Sequence, residues 1–240
     1  MHIAQLLSQK SNDLFGAPIP TIAFLGDSVT QGCFEIYVKQ GGGIETVFER
    51  ESAFCACVQK ILGVLYPRVT VNVLNAGISG DSAPNGSARL ERDVLKHRPD
   101  LTVVAYGLND SGAGMDGVER YGNALRDIFT RLKESGSEVI FMTSNMMNTR
   151  LPYTREPQEI MAVAQNTMHT QTSGTLAAYF DAARQVADAC GVRVCDVYRK
   201  WEAMAAAGVD TTALLSNHVN HPTREMNWMA AYSLVECMLQ

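Results

Sequence analysis

A three-layer α/β/α sandwich built on a five-stranded parallel sheet is the fold class this sequence predicts, and three observations carry the expectation. Short β-rich runs alternate with longer stretches of helical periodicity along the whole chain. Parallel neighbours require right-handed crossovers, which lay helices over both faces of the sheet. No tract rich in Pro, Gly or Ser divides the 240 residues, and no internal repeat interrupts the alternation.

Residues 1–20 read as an amino-terminal arm, a short helix leading into a Pro-containing segment. Residues 21–240 read as one domain, large enough to bury most of its apolar surface. Strands are expected at 21–25 (TIAFL), 69–75 (VTVNVLN), 101–106 (LTVVAY), 138–144 (EVIFMTS) and 192–197 (VRVCDV), all short apolar runs rich in β-branched residues. Helical periodicity covers 46–66, 86–97, 116–135, 156–189 and 222–239, with a shorter helix at 198–207. The glycine run of "KQGGGIE", residues 39–45, reads as a flexible part of the first strand-to-helix connection.

Composition narrows the function classes. A net charge of −5 offers no basic stripe, so nucleic acid and anionic membrane surfaces are poor partners and small molecules better ones. The start "MHIAQLLSQKSND" lacks the charged region and unbroken apolar run of a signal peptide, and no later segment is apolar for long enough to span a bilayer. A cytoplasmic location without membrane association is the expectation. Six cysteines (Cys33, Cys55, Cys57, Cys190, Cys195, Cys237) lack Cys-x-x-Cys spacing and read as reduced thiols rather than zinc ligands or a disulfide framework.

In open α/β sheets, ligands bind beyond the carboxyl ends of the strands. There the sequence places Gly26-Asp27-Ser28 after the first strand, a loop from Asn75 through Gly80, Asp81 and Ser82 after the second, Gly107-Leu108-Asn109-Asp110 after the third and Asn145 after the fourth. "NHVNHPT", residues 217–223, precedes the last helix. The set contains a hydroxyl nucleophile, hydrogen-bond donors for an oxyanion and an imidazole base, the parts of an acyl-transfer site. Gly-Asp-Ser occurs twice, at 26–28 and 80–82, and both serines fall in loops at the same end of the sheet, so placement alone does not choose between them. No Gly-x-Ser-x-Gly elbow is present, because Thr30 occupies the second glycine position, and neither a dinucleotide fingerprint nor a P-loop occurs.

These four blocks resemble those of the SGNH hydrolase superfamily, the GDSL-type esterases and lipases. In chain order they are Ser28 in "GDSVTQG", Gly80 in "NAGISGDS", Asn109 in "GLND" and His221 in "NHP". The resemblance spans residue 21 to the final helix and implies a flavodoxin-like SGNH fold and a serine ester hydrolase that needs no metal or organic cofactor. It implies Ser28 as nucleophile, His221 as base, and an oxyanion hole of the Ser28 and Gly80 N–H groups with the Asn109 amide. The first Gly-Asp-Ser is then the nucleophile block, and Ser82 is a turn residue. The implied partner is a small-molecule ester, such as an O-acetylated carbohydrate or another small soluble ester. The alternative is a scaffold that only binds a sugar or acylated ligand.

The departure from the family is at the acid. The position three residues before His221, where the family places an Asp, is His218, and Asn217 precedes it. A backbone carbonyl accepting Nδ1–H can still keep Nε2 facing Ser28, which gives a Ser-His dyad. Asp27 and Asp110 are expected to order their loops, His97 and His169 to be surface residues, and Met146 and Met147 to pack apolar space. The two imidazoles of "HVNH" lack a third metal ligand. The segments 33–45 and 145–157 leave strands beside the site and are expected to set specificity.

Overall fold

The computed structural model describes residues 2–153 and 156–240. Its main sheet contains β1 (Thr21–Gly26), β4 (Asn72–Gly77), β5 (Leu101–Ala105), β6 (Glu138–Met142) and β7 (Arg193–Cys195) in the order β4-β1-β5-β6-β7, every pair parallel. This is the doubly wound, flavodoxin-like order, in which the chain reverses direction across the sheet beside β1. Strand β1 lies at that reversal. Its residues Ile22, Ala23, Phe24 and Leu25 are fully buried, as expected for a strand covered on both faces.

Helices α3 (Phe54–Leu65) and α9 (Arg224–Leu239) pack on one another over one face, joined by α1 (His2–Asn12), while α4 (Ala83–Asp93), α5 (Val118–Glu134) and α7 (Thr175–Ala189) form the other layer. Each layer inserts aromatic side chains into the sheet. Phe54 meets Phe24 edge-on at 5.7 Å between ring centroids, and Phe129 meets Phe141 at 5.9 Å. Truncating a fully buried ring such as Phe24 to alanine costs about 3–5 kcal/mol, enough to threaten the fold. Within the segment 1–20, Ile3 and Leu7 of α1 are wholly buried.

The expected helix at 46–66 is corrected at its start. Residues 46–48 belong to a strand, β3 (Ile44–Phe48), that pairs antiparallel with β2 (Cys33–Val38); a 3₁₀ turn at Arg50–Ser52 then leads into α3. Gly41, Gly42 and Gly43 have φ of 98°, 93° and 84°, so the glycine run forms the tight turn of a hairpin instead of a slack linker. β-rich runs on either side of a glycine turn are a hairpin signature. The expected helix at 156–189 is two helices, α6 (Gln158–Thr172) and α7, separated at Ser173 and Gly174. Short α8 (Val197–Ala206) follows β7. Among the described residues no helix is long and apolar enough to cross a membrane, and all six cysteines are free, five of them buried.

Candidate active site

Ser28 opens α2 (Ser28–Gln31), a single helical turn directly beyond β1. Asp27 caps that turn, its Oδ1 accepting from the Val29 N–H at 3.0 Å. Burial pushes the Asp27 carboxyl up to about 7, the Val29 bond opposing that rise and the nearby Asp110 and Asp81 adding to it. Ser28 is 4% exposed. Its N–H, at a helix start, has no acceptor among the described residues.

Gly80 stands in the loop after β4 with φ +78°, a conformation a side chain would strain, and nothing lies within 4 Å of where its Cβ would be. Open space there lets a substrate atom approach the backbone closely. The loop is pinned from below. Asp81 bonds Arg89 Nε at 2.8 Å and the Tyr106 hydroxyl at 2.7 Å, and Arg89 reaches on to the Gly26 carbonyl at 3.1 Å. Asp81, Arg89 and Tyr106 are all buried, so the charges are paired as well as hydrogen-bonded. One Nδ2–H of Asn109 donates to the Asp81 carbonyl at 2.8 Å, which fixes the amide plane while the second Nδ2–H stays available. Asp110 accepts from the Ala83 N–H at 2.9 Å, and burial lifts its carboxyl to about 6. Ser82 precedes α4 as its N-cap residue.

His221 comes from the loop before α9. Asn217 Oδ1 gathers the N–H groups of Val219, Asn220 and His221 at 3.0, 2.9 and 3.0 Å, curling the loop around one side-chain oxygen. His218 takes φ +52° within that curl, and its Nδ1 lies 3.4 Å from the Thr212 carbonyl. The two imidazoles of "HVNH" therefore point to different partners. Asn145 donates to the Asn220 carbonyl at 2.8 Å, and the Asn148 N–H to the Val219 carbonyl at 2.8 Å, tying the loop to the segment after β6.

His221 is 5% exposed, with Nε2 3.0 Å from Ser28 Oγ and Nδ1 2.7 Å from the Phe34 carbonyl oxygen. A carbonyl can only accept, so Nδ1 carries the proton and Nε2 presents its lone pair to the Ser28 hydroxyl. Burial lowers the His221 pKa from its ordinary 6.5, opposed by the Phe34 carbonyl and the Glu35 charge. Among the described residues, the ring's hydrogen-bond partners are the Phe34 carbonyl and the Ser28 hydroxyl.

The structure thus brings Ser28 and His221 together and sets Asn109 over the Gly80–Asp81 turn. His97 and His169 are exposed and outside the site; Met146 and Met147 are buried in the core. Phe34, whose backbone is the Nδ1 acceptor, carries no motif, because any residue supplies a carbonyl; the hairpin pattern around it is the available signal. Arg89 and Tyr106 likewise carry no sequence signal as site supports, since one lies within α4 and the other directly after β5. Of the expected specificity segments, 33–45 is the hairpin, and 145–157 includes residues 154 and 155, which lie outside the described residues.

A cavity of about 180 Å³ adjoins Asn109, lined by Ser82, Pro84, Asp110, Arg120 and Tyr121 among others. A larger one, about 540 Å³, lies among Arg193, Lys200, Glu236 and Cys237 and shares no residue with the Ser28–His221 pair. The smaller cavity likewise includes neither Ser28 nor His221; Asn109 is the one candidate site residue on its wall.

A doubly wound parallel sheet with a serine hydroxyl facing an imidazole at its carboxyl end, and no Gly-x-Ser-x-Gly elbow, defines a hydrolase class separate from the elbow-bearing one. Within it, the chain belongs to the GDSL-like lipase/acylhydrolase family, whose sequence profile matches residues 24–229, and so to the SGNH superfamily. An acetylxylan esterase from Geobacillus stearothermophilus is 28% identical over 131 residues, 51% of this chain and 58% of that protein. An arylesterase from Vibrio mimicus is 37% identical over 82 residues, 34% of this chain and 38% of that protein. The matched stretches thus span little more than half, or less, of these curated relatives. The solved structure of an acetyl-xylooligosaccharide esterase from the same Geobacillus superposes with a TM-score of 0.67 at 21% identity, covering 91% of this chain and 94% of that one. An acetyl xylan esterase, AlAXEase, gives 0.67 at 20% identity over 90% and 98% of the two chains.

Proposed function

We propose that this chain is a carboxylic ester hydrolase working through an acyl-enzyme, with Ser28 as nucleophile and His221 as general base. The observation that carries the reading is the hydrogen-bonded line from Ser28 Oγ to His221 Nε2 at 3.0 Å and from Nδ1 to the Phe34 carbonyl at 2.7 Å. Ser28 Oγ attacks the ester carbonyl carbon while its proton moves to Nε2. The tetrahedral oxyanion is received by the Ser28 and Gly80 N–H groups and the free Nδ2–H of Asn109. Collapse expels the alcohol, which takes the proton from Nε2; water then repeats the sequence and releases the acid.

The Phe34 carbonyl fills the geometric part of the absent acid's role by fixing the tautomer. It supplies no full negative charge to the imidazolium, so the dyad is a weaker base than a triad at the same geometry. For the substrate, the acetylxylan esterase relative favours a short acyl group on a polar alcohol, such as an O-acetylated carbohydrate.

The test is labelling and turnover together. A fluorophosphonate should label the wild type at Ser28, Ser28→Ala should abolish hydrolysis of p-nitrophenyl acetate, and Ser82→Ala should retain most of it. Across an acyl-length series, acetate should be the best substrate. Labelling at Ser82 would reverse the assignment, and an inert wild type that still binds acetylated sugars would make the chain a binding scaffold.

A further inference from the structure

His221 depends on a carbonyl 187 residues away in the chain. That carbonyl lies on β2, which among the described residues pairs only with β3 and shares no hydrogen-bonded edge with the main sheet. The β2–β3 register also shifts between Cys33 and Ile36, the stretch that contains Phe34. A two-stranded ribbon is marginal by itself, so contacts outside the hairpin must set where the Phe34 oxygen sits.

One side chain makes the required contacts. Arg224 Nη1 and Nη2 donate to the two carboxylate oxygens of Glu35 at 2.6 and 3.0 Å. Its Nε donates to Glu49 Oε2 at 2.8 Å, and Nη2 also bonds Glu49 Oε1. The guanidinium lies 4.4 Å from the centre of the Phe34 ring. Glu35 follows Phe34 directly and Glu49 follows the end of β3, so the fork grips both strands beside the carbonyl. Arg224 is the first residue of α9, three residues after His221. The carbonyl and the imidazole are therefore referenced to a single anchor.

We propose that Arg224 is a positioning residue for the base: with Glu35 and Glu49 it forms a latch that sets the Phe34 carbonyl against Nδ1 of His221 and so aims Nε2 at Ser28. The inference rests on the reading of Ser28 and His221 as nucleophile and base. Side-chain exposures of 34%, 43% and 39% for Arg224, Glu35 and Glu49 mean that these ion pairs add little to global stability. Their value is geometric, since a planar fork engaging two carboxylates fixes orientation as well as distance.

The experiment measures kcat, KM and the nitrogen-15 signals of the His221 ring at pH 8 in Arg224→Met, Arg224→Lys and Glu49→Gln. Wild type should show the Nδ1-protonated tautomer. Arg224→Met should lose about 10- to 100-fold in kcat with KM little changed, and its ring should become a mixture of tautomers. Arg224→Lys keeps the charge without the fork and should fall on the same side. Glu49→Gln removes one arm, keeps the protein folded if Arg224→Met does not, and should show a smaller kcat loss with partial tautomer mixing. A folded variant with wild-type kcat and a pure Nδ1-protonated ring overturns the latch. If Ser28→Ala is inactive in the same assays, that failure belongs to the latch alone; if Ser28→Ala stays active, the underlying reading has failed first.

Discussion

The serine side and the histidine side of this site are held in different ways. Ser28, Gly80 and Asn109 follow β1, β4 and β5, three neighbouring strands whose ends are in register through Gly26–Gly77 and Gly26–Ala105. Sheet hydrogen bonds place those strand ends, and the buried Asp81, Arg89 and Tyr106 network locks the loops above them. His221 has no strand beneath it. It sits on a loop curled around Asn217 and leans on a carbonyl of a separate hairpin. Position in the sheet specifies one half of the site, and contacts between distant segments specify the other.

The sharpest way to separate the halves is to remove one donor from the serine side. Asn109→Ala deletes the free Nδ2–H while leaving Ser28 and His221 untouched, and should lower kcat by about 10²- to 10³-fold on p-nitrophenyl acetate. KM should change less, because the donor bonds most strongly to the charge that develops in the transition state. The tautomer signal of His221 should stay that of wild type. A loss carried mostly by KM would move Asn109 from oxyanion stabilisation to ground-state binding and blur the contrast between the two sides.

What the sequence made legible follows the same division. Five strands and their alternation with helices are local patterns, so the sheet could be read from short apolar runs alone. Ser28, Gly80 and Asn109 could be read because each lies within a few residues of a strand end. The hairpin reads from sequence as a connection running into a helix because its glycine run suggests slackness, whereas antiparallel pairing turns those glycines into a tight turn. The acceptor for His221 was legible only as a type of group. A backbone carbonyl has no sequence signature, and choosing Phe34 over any other residue requires the tertiary approach of β2 to the 217–223 loop.

Asn217 and His218 provide a test of intermediate size on the histidine side. Neither side chain accepts from Nδ1 of His221, but Asn217 Oδ1 holds three N–H groups of the loop, whereas the His218 ring makes a long contact to the Thr212 carbonyl. Asn217→Ala orphans those donors and should cost on the order of 10-fold in kcat, with a fall in thermal midpoint. Asn217→Asp keeps the acceptor and should recover most of both losses. His218→Gly relieves φ +52° and should leave kcat within about twofold. Equal losses from Asn217→Ala and His218→Gly would mean that the loop is held by something other than the Asn217 oxygen.

The smallest effects expected are in pH dependence, where burial shifts His221 on one side and the Asp27 and Asp110 carboxyls on the other. Burial lowers His221 from 6.5, so kcat/KM should rise through a midpoint below pH 6.5 as Nε2 deprotonates. Asp27, on the serine side, is shifted the opposite way, from 3.8 up to about 7. The folded protein therefore keeps a proton that the unfolded chain gives up, so stability falls as pH rises from about 4 to 7. Asp27→Asn retains an oxygen for the Val29 N–H and cannot carry the charge. At pH 8 it should be more stable than wild type, by on the order of 2 kcal/mol, and below pH 4 the gain should vanish because both states of wild type are then protonated. Thermal midpoints at pH 4 and pH 8 measure that difference. The acid limb of kcat/KM should not move in this variant, since it belongs to the base. If the limb moves with Asp27, the rate-controlling titration lies beneath the nucleophile, and the base is not the side of the site that sets the pH response.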